Sequence, residues 1–162
     1  MSPVADAIAR FALAIDDRDW RAVATCLADT VRRDYSSLTG AAPDEIAGAD
    51  LVAQWRTVLT GLDAHQHLLG PPVIEGSTGD GRGADPDTAE AVARAAAHVV
   101  ATHTLAGDAG SPWVVGGTYR FELRRTDDGW RITAITLDTR WETGDRALLE
   151  RAATQHEVHR PR

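Results

Sequence analysis

From Ala89 to Leu105 every odd position is Ala, Val, Leu or His103, whereas the even positions include Glu90, Arg94, His98, Thr102 and Thr104. A period of two puts alternate side chains on opposite sides of a strand, so this stretch is predicted as a strand with one apolar face. That face carries Ala91, Ala93, Ala95, Ala97 and Ala101, side chains too small to fill the space over a curved sheet. His103 is therefore placed to look into a cavity. Helix propensity competes over Thr88 to Ala97, which is rich in Ala, Glu and Arg. The Val, Thr and His content of Ala95 to Leu105 decides for a strand there.

Ahead of that strand, apolar residues recur at helical spacing. Ser2 and Pro3 followed by Val4, Ala7, Ile8, Phe11, Ala12 and Ile15 predict an amphipathic helix with a serine cap and a proline in its first turn. It stops in the cluster Asp16, Asp17, Arg18, Asp19, where Asp19 can cap a second helix built on Trp20, Val23, Ala24 and Leu27 and ending near Asp29. Thr30 to Ser37 reads as a short strand. Pro43, Asp44 and Glu45 open a third helical region, whose stripe of Leu51, Val52, Trp55, Val58 and Leu59 runs to Gly61. A strand from about His65 to Gly70 resumes beyond Pro71 and Pro72 as Val73 to Glu75. Two long strands, Trp113 to Arg125 and Trp130 to Trp141, are joined by a hairpin turn over Thr126 to Gly129. An amphipathic segment from Asp145 to Ala153 can lie over one end of the sheet. Helices preceding most of a curved antiparallel sheet make this an α+β chain.

At 162 residues the chain is long enough to bury roughly 70% of its unfolded surface in a single core. The expected organisation is one domain over residues 1–154, a flexible Gly-rich loop over 76–87 and a disordered tail over 155–162. The loop lacks the Lys-Ser/Thr pair of a phosphate-binding loop. A formal net charge of −7 argues against a nucleic-acid or anionic-membrane surface. Asp6, Arg10, Asp16 and Asp17 interrupt the first helix, so it does not read as a signal segment, and the protein is expected to be cytoplasmic. The single cysteine, Cys26, sits on the inner side of the second helix as a small hydrophobe.

Candidate chemistry lies in the apolar segments. His67 and His103 are set among apolar residues, and a buried imidazole is either hydrogen-bonded or in use. His65 shares parity with His67, so a His-x-His metal pair is conceivable, but nothing supplies a third ligand. His98 has the opposite parity to His103 and belongs on the outer face. Asp34 and Tyr35 are adjacent on a strand and face opposite ways, with Tyr35 expected inward. Arg33 shares parity with Tyr35; buried, it needs a carboxylate, on Asp16 or on a substrate. Trp55 and Trp141 are expected in the pocket wall or core, Trp113 at a subunit contact, and Asp138 is positioned to pair with Arg140.

Taken in order, Asp16 to Trp20, Arg32 to Ser37, Gln66 to Gly70, Thr102-His103, Gly129 to Ile132 and Asp138 to Trp141 resemble scytalone dehydratase and its bacterial relatives. These belong to the SnoaL-like, nuclear-transport-factor-like superfamily, and the likeness runs from about Val4 to Glu150. The resemblance implies a cone, a bent sheet wrapped around N-terminal helices, with one apolar pocket at its open end. It also implies a catalytic set of Asp16, Tyr35, His67 and His103 that removes water from a β-hydroxy ketone without metal or organic cofactor. One base takes the proton beside the carbonyl, a tyrosine or its bound water polarises the carbonyl oxygen, and a protonated imidazole helps hydroxide leave. Histidine titrates near pH ~6.5 and can serve in either direction. An Asp beside one imidazole would fix its tautomer.

The sequence departs from that pattern at two points. Ile15 stands where the dehydratases have a tyrosine, and Gly117 and Tyr119 replace small polar residues, Tyr119 returning a hydroxyl from another direction. Ile15, Arg33, Trp55, Tyr119, Asp138 and Trp141 are the expected pocket residues. The ketosteroid-isomerase branch of the superfamily has a carboxylate base near Asp34, but its helix-one tyrosine is Phe11 here. The expected activity is that of a cofactor-free dehydratase acting on a small, apolar or aromatic, polyketide-like substrate. A SnoaL-like cyclase or isomerase using the same pocket and a non-catalytic ligand-binding or dimerisation module are the alternatives. Family precedent adds a homo-oligomer, dimer or trimer, built through the sheet's outer face, where Val92, Ala96 and Val100 lie.

Overall fold

In the computed structural model, residues 2–77, 91–105, 107 and 112–158 are described, 76–77 and 155–158 by their backbone alone. Helix α1 (Pro3–Asp16) and helix α2 (Trp20–Cys26) lead into strand β1 (Leu27–Asp34), a single turn α3 (Ser36–Thr39), strand β2 (Asp44–Ala47) and helix α4 (Gly48–Thr60). Strands β3 (Ala64–Leu69), β4 (Val73–Ser77), β5 (Val92–Thr104), β6 (Trp113–Thr126) and β7 (Gly129–Thr143) follow, and α5 (Leu148–Val158) ends the described chain. The sheet order is β2-β1-β7-β6-β5-β3, with β4 also pairing to β5. The architecture is α+β, with the N-terminal helices seated in the curl of the sheet, the cone expected from the sequence.

Alternation builds β5 as a strand: Ala91, Ala93, Ala95, Ala97, Val99, Ala101 and His103 are all buried, while Arg94, His98 and Val100 are exposed. The inner face packs Phe121 and Leu123 of β6 and Ile132 and Ile135 of β7 against Ile8, Val23 and Leu51 of the helices. Burial of these apolar surfaces is the main favourable contribution to the fold.

Several local expectations are corrected. Ser2 precedes α1, but its side chain makes no cap bond. Asp19 does cap α2 by accepting from Ala22 N–H at 2.9 Å, and α2 stops at Cys26 because Leu27 already belongs to β1. Asp44 to Ala47 is an edge strand paired to β1, and α4 starts only at Gly48, where a Cβ would run into the Ala28 carbonyl. The β1/β7 pair is parallel, unlike the rest of the sheet; no hairpin ties β1 to its neighbour, so nothing local dictates its direction.

A bulge opposite Gly116 and Gly117 makes β7 spend an extra residue, Arg140, against β6. The parity of β7 reverses there, and Trp141 comes out on the outer face beside Gly116, 48% exposed, rather than in the pocket wall or core. Asp138 lies on that outer face too, where Arg120 Nε donates to it at 2.7 Å; it pairs with Arg120, not Arg140, and is not among the residues that line the apolar cavity. The Gly-rich segment from residue 78 onward and residues 159–162 lie outside the described residues, while the α5 backbone continues to Val158, into the stretch expected as a tail. Among the described residues, no helix is long and apolar enough to cross a membrane.

Candidate active site

The apolar stripe of α1 (Val4, Ile8, Phe11, Ile15) lies against the sheet and delivers Asp16 at the helix end. Arg18 terminates the helix at φ 57°, the left-handed conformation that lets its N–H reach back to the Ile15 carbonyl at 3.1 Å. Its guanidinium donates to the Leu62 carbonyl at 2.6 Å, tying the turn to the entry of β3. Asp16 thereby meets His67: the His67 main-chain N–H donates to its two oxygens at 2.8 and 3.1 Å, and ring Nδ1 lies 2.8 Å from Oδ1. Partial burial acts to raise the Asp16 pKa, but the ring and main-chain bonds from His67 outweigh it and hold the carboxyl below its ordinary value. An ionised carboxylate accepts only, so the His67 Nδ1 that faces it carries a proton.

His103 sits on β5, directly opposite His65 of β3. Its ring is perpendicular to that of His67, with centroids 5.8 Å apart, and stacks on Trp113 at 4.6 Å. Trp113 is buried in this stack, its indole N–H donating to Glu142 at 3.0 Å, rather than presented at the surface for the subunit contact expected from the sequence. Burial, helped by the nearby His67, pushes the His103 pKa down to about 4 despite the opposing effect of the Trp113 backbone, so this imidazole is neutral at neutral pH.

His67 and His103 open onto a cavity of about 300 Å³, at the small end of ligand sites, while Asp16 stands behind His67 and does not line it. Its walls are mostly apolar, with Phe11, Val58, Leu69, Ala101 and Phe121 among them, and Ile15, Tyr35, Trp55, His67, His103 and Tyr119 line it as well. The Tyr35 phenol is desolvated and engaged with Tyr119 and with the Trp55 indole; its pKa stands well above 10 because of burial first and Tyr119 second. Burial likewise takes Tyr119 up to about 12, against the Tyr35 hydrogen bond. Both are neutral hydroxyls able to donate into the cavity.

β1 ends at Asp34 and Tyr35 caps α3 beyond it; Tyr35 lines the cavity and Asp34 does not, accepting instead from the N–H and hydroxyl of Ser36 at 3.0 and 2.6 Å, so the isomerase-type carboxylate base has no counterpart there. Arg33 reaches the cavity wall but does not pair with Asp16. It makes a two-pronged bond to Asp44 at 3.0 and 2.6 Å and donates to Gln54 at 2.6 Å. Gln54 and Leu149 also line the cavity without having been singled out; Gln54 precedes Trp55 on α4, and Leu149 falls in the C-terminal amphipathic segment. Among the described residues, no group of three or more His, Cys, Asp or Glu side chains is disposed to hold a metal ion.

The family profile of the SnoaL-like domain matches residues 2–136. No curated protein matches the chain. Solved structures of similar fold include the Kfla4162 protein of Kribbella flavida, 28% identical, covering 90% of this chain and 93% of that one with a TM-score of 0.73. A protein provisionally named an aromatic ring hydroxylase, from Novosphingobium aromaticivorans, is 27% identical over 93% of this chain and 95% of its own, at a TM-score of 0.70. From the same bacterium, a provisionally named scytalone dehydratase shares the fold at 13% identity, covering 87% of this chain and 84% of its own, at a TM-score of 0.67.

Proposed function

Since the chain belongs to the SnoaL-like domain family of the nuclear-transport-factor-like superfamily, we propose that its cavity is the active site of a lyase that removes water from a small β-hydroxy ketone by acid–base catalysis with its own side chains. The observation that carries this reading is the convergence of the Asp16–His67 pair, His103 and the Tyr35/Tyr119 phenols on one open, largely apolar cavity. A module serving only for assembly has no need of an open cavity with an oriented imidazole in it. The family and fold support a domain that converts small molecules; at 13% identity the dehydratase likeness is one of fold, and the chemistry is argued from the residues.

In the proposed reaction His67 Nε2 takes the proton from the carbon beside the carbonyl. The electron pair of that C–H bond moves into an enolate, whose oxygen accepts hydrogen bonds from Tyr35 or Tyr119. Collapse of the enolate forms the C=C bond and breaks the C–O bond to the β-hydroxyl, which leaves as water with the proton returned from His67. Asp16 stabilises the imidazolium between the two transfers. The protonated imidazole of the mechanism is thus His67 in turnover; His103, with a pKa of about 4, serves as a neutral ring that shapes and dries the site. Exclusion of water by the apolar wall strengthens each of these interactions.

The test is a screen of β-hydroxy ketones on apolar one- and two-ring scaffolds, followed by absorbance of the conjugated product. Activity that Asp16→Asn and His67→Gln abolish supports the assignment. Turnover untouched by both variants would place the chemistry elsewhere, and cyclised or isomerised product would identify the same enolate used differently.

We further assign homo-oligomerisation, as a dimer or trimer, to the outer sheet face. Leu68, Val100, Gly116 and Trp141 form one cross-strand row there, with Leu68 67%, Val100 38% and Trp141 48% exposed.

A further inference from the structure

His65 takes no part in the proton transfers proposed above, yet it is nine-tenths buried and makes one directed bond. Its Nε2–H donates to the Ile15 carbonyl at 3.0 Å. Carbonyls in the last turn of a helix have no partner within the helix. Here the Ile15 oxygen receives the Arg18 N–H from its own chain and His65 from β3. Two residues along β3 on the same face, His67 holds Asp16 at 2.8 Å through its ring. Strand residues 65 and 67 thus grip consecutive helix residues 15 and 16, and Arg18 closes the far side on Leu62 at 2.6 Å. A carboxylate at an untethered helix end would share its time among rotamers and backbone positions, and the 2.8 Å contact depends on neither moving.

We infer that His65 is a positioning residue: by fastening the Ile15 carbonyl to β3 it fixes the end of α1, so that Asp16 meets the Nδ1–H of His67 and sets the tautomer with which His67 faces the cavity. This role rests on the reading of His67 as the base and deepens it.

The surroundings of His65 keep its donor in place. Its Nδ1 is buried without a partner, and so is the Nδ1 of His103, the residue opposite it across the β3/β5 ladder. A proton added there would make a buried cation beside His67 and Arg18, which disfavour it, with Asp16 opposing them. Burial lowers the His65 pKa, and the Ile15 carbonyl only partly opposes it. The ring therefore stays neutral with its single proton on Nε2, a donor of fixed direction.

The experiment is nitrogen-15 NMR of the histidine rings in the full chain, with no substrate added, on the parent and on His65→Leu and His65→Gln. In the parent, His65 is expected as the Nε2–H tautomer and His67 as the Nδ1–H tautomer. His65→Leu should lose the Nδ1–H form of His67 in favour of the Nε2–H form that free histidine prefers. His65→Gln, whose amide nitrogen can occupy the Nε2 position, should keep it. A His67 tautomer unchanged in folded His65→Leu overturns the role. If that variant does not fold, His65→Asn, too short to reach Ile15, carries the same comparison, and an Nδ1–H tautomer of His65 in the parent overturns the inference without any variant. Because no turnover is measured, a chain inactive toward hydroxy ketones could still show this coupling, and a failure here would leave the elimination chemistry to be judged separately.

Discussion

Asp16 holds His67 by both its main chain and its ring: the strand N–H donates to Oδ2 at 2.8 Å while Nδ1 lies 2.8 Å from Oδ1. The two contacts fix position and tautomer together. Asp16→Asn keeps an oxygen for the main-chain N–H but can turn an amide N–H toward Nδ1, which moves the ring proton to Nε2 and removes the base. The expected result is a loss of kcat of roughly a hundred- to ten-thousand-fold with a smaller change in KM, read by steady-state kinetics on any hydroxy ketone the parent dehydrates. A variant at parental kcat would show that the pair is structural.

The phenols allow a separation of stability from catalysis. The Tyr35 hydroxyl is buried and engaged with Tyr119 and the Trp55 indole. Tyr35→Phe removes that buried hydroxyl from its polar neighbours and should lower stability by about 1–3 kcal/mol. Tyr119→Phe removes the partner at the other end of the pair and should be milder on stability. Each loses a donor to the developing enolate, for an expected rate loss of roughly a hundred- to a thousand-fold if that phenol is the one used. With Tyr119 at about 12 and Tyr35 well above 10, the parental pH–rate profile should show no phenol ionisation below pH ~10. Chemical denaturation of both variants beside their kinetics distinguishes the two effects.

What the sequence made legible follows from where its rules apply. Period two named the inner face of β5 correctly because small residues repeat along it without a bulge, and His103 came with it. The same counting misplaced Trp141, since the extra residue at Arg140 reverses parity in a way that neither composition nor spacing announces. Asp44 looked like a helix opener because Pro-Asp-Glu suits a first turn; its strand exists only by pairing with β1 across the fold. Arg33 was read as needing a carboxylate, and it has one, but Asp44 supplies it from an edge strand that local pattern did not reveal. The tie between His65 and Ile15 joins residues 50 positions apart. Nothing in a His-x-His spacing distinguishes such a tether from a metal pair.

The outer row predicts an assembly that single charges should break. Leu68, Val100 and Trp141 stand on the sheet's convex side, and a Cβ on Gly116 would collide with the Trp141 ring that covers it. Trp141→Lys or Val100→Lys places a charge in the centre of the row and should leave the circular dichroism unchanged. The mass by light scattering should fall from a dimer or trimer to a monomer. A parental chain that is already monomeric at high micromolar concentration would remove this face as the interface.

Acid sensitivity should be traceable to His103. The ring is 5% exposed, and its pKa falls from the ordinary 6.5 to about 4 in the folded chain. Between those values the unfolded state binds the proton and the folded state does not. The stability tied to the neutral ring is therefore complete above pH ~6.5 and is lost as the pH falls toward ~4. For a shift of this size the loss between pH 7 and pH 5 comes to about 2 kcal/mol. Asp16, held low by His67, changes charge only below the ordinary carboxylate range and lies outside this window. His65, also lowered by burial, acts in the same direction, and it does so equally in the parent and in a His103 variant. His103→Phe retains a ring to stack on Trp113 at 4.6 Å but cannot titrate. Urea unfolding at pH 7 and pH 5 should show the parent losing about 2 kcal/mol more than His103→Phe on acidification. Equal losses in the two proteins would mean that His103 is hydrated or charged in the folded state, and the dry, neutral site on which the proposed elimination depends would have to be abandoned.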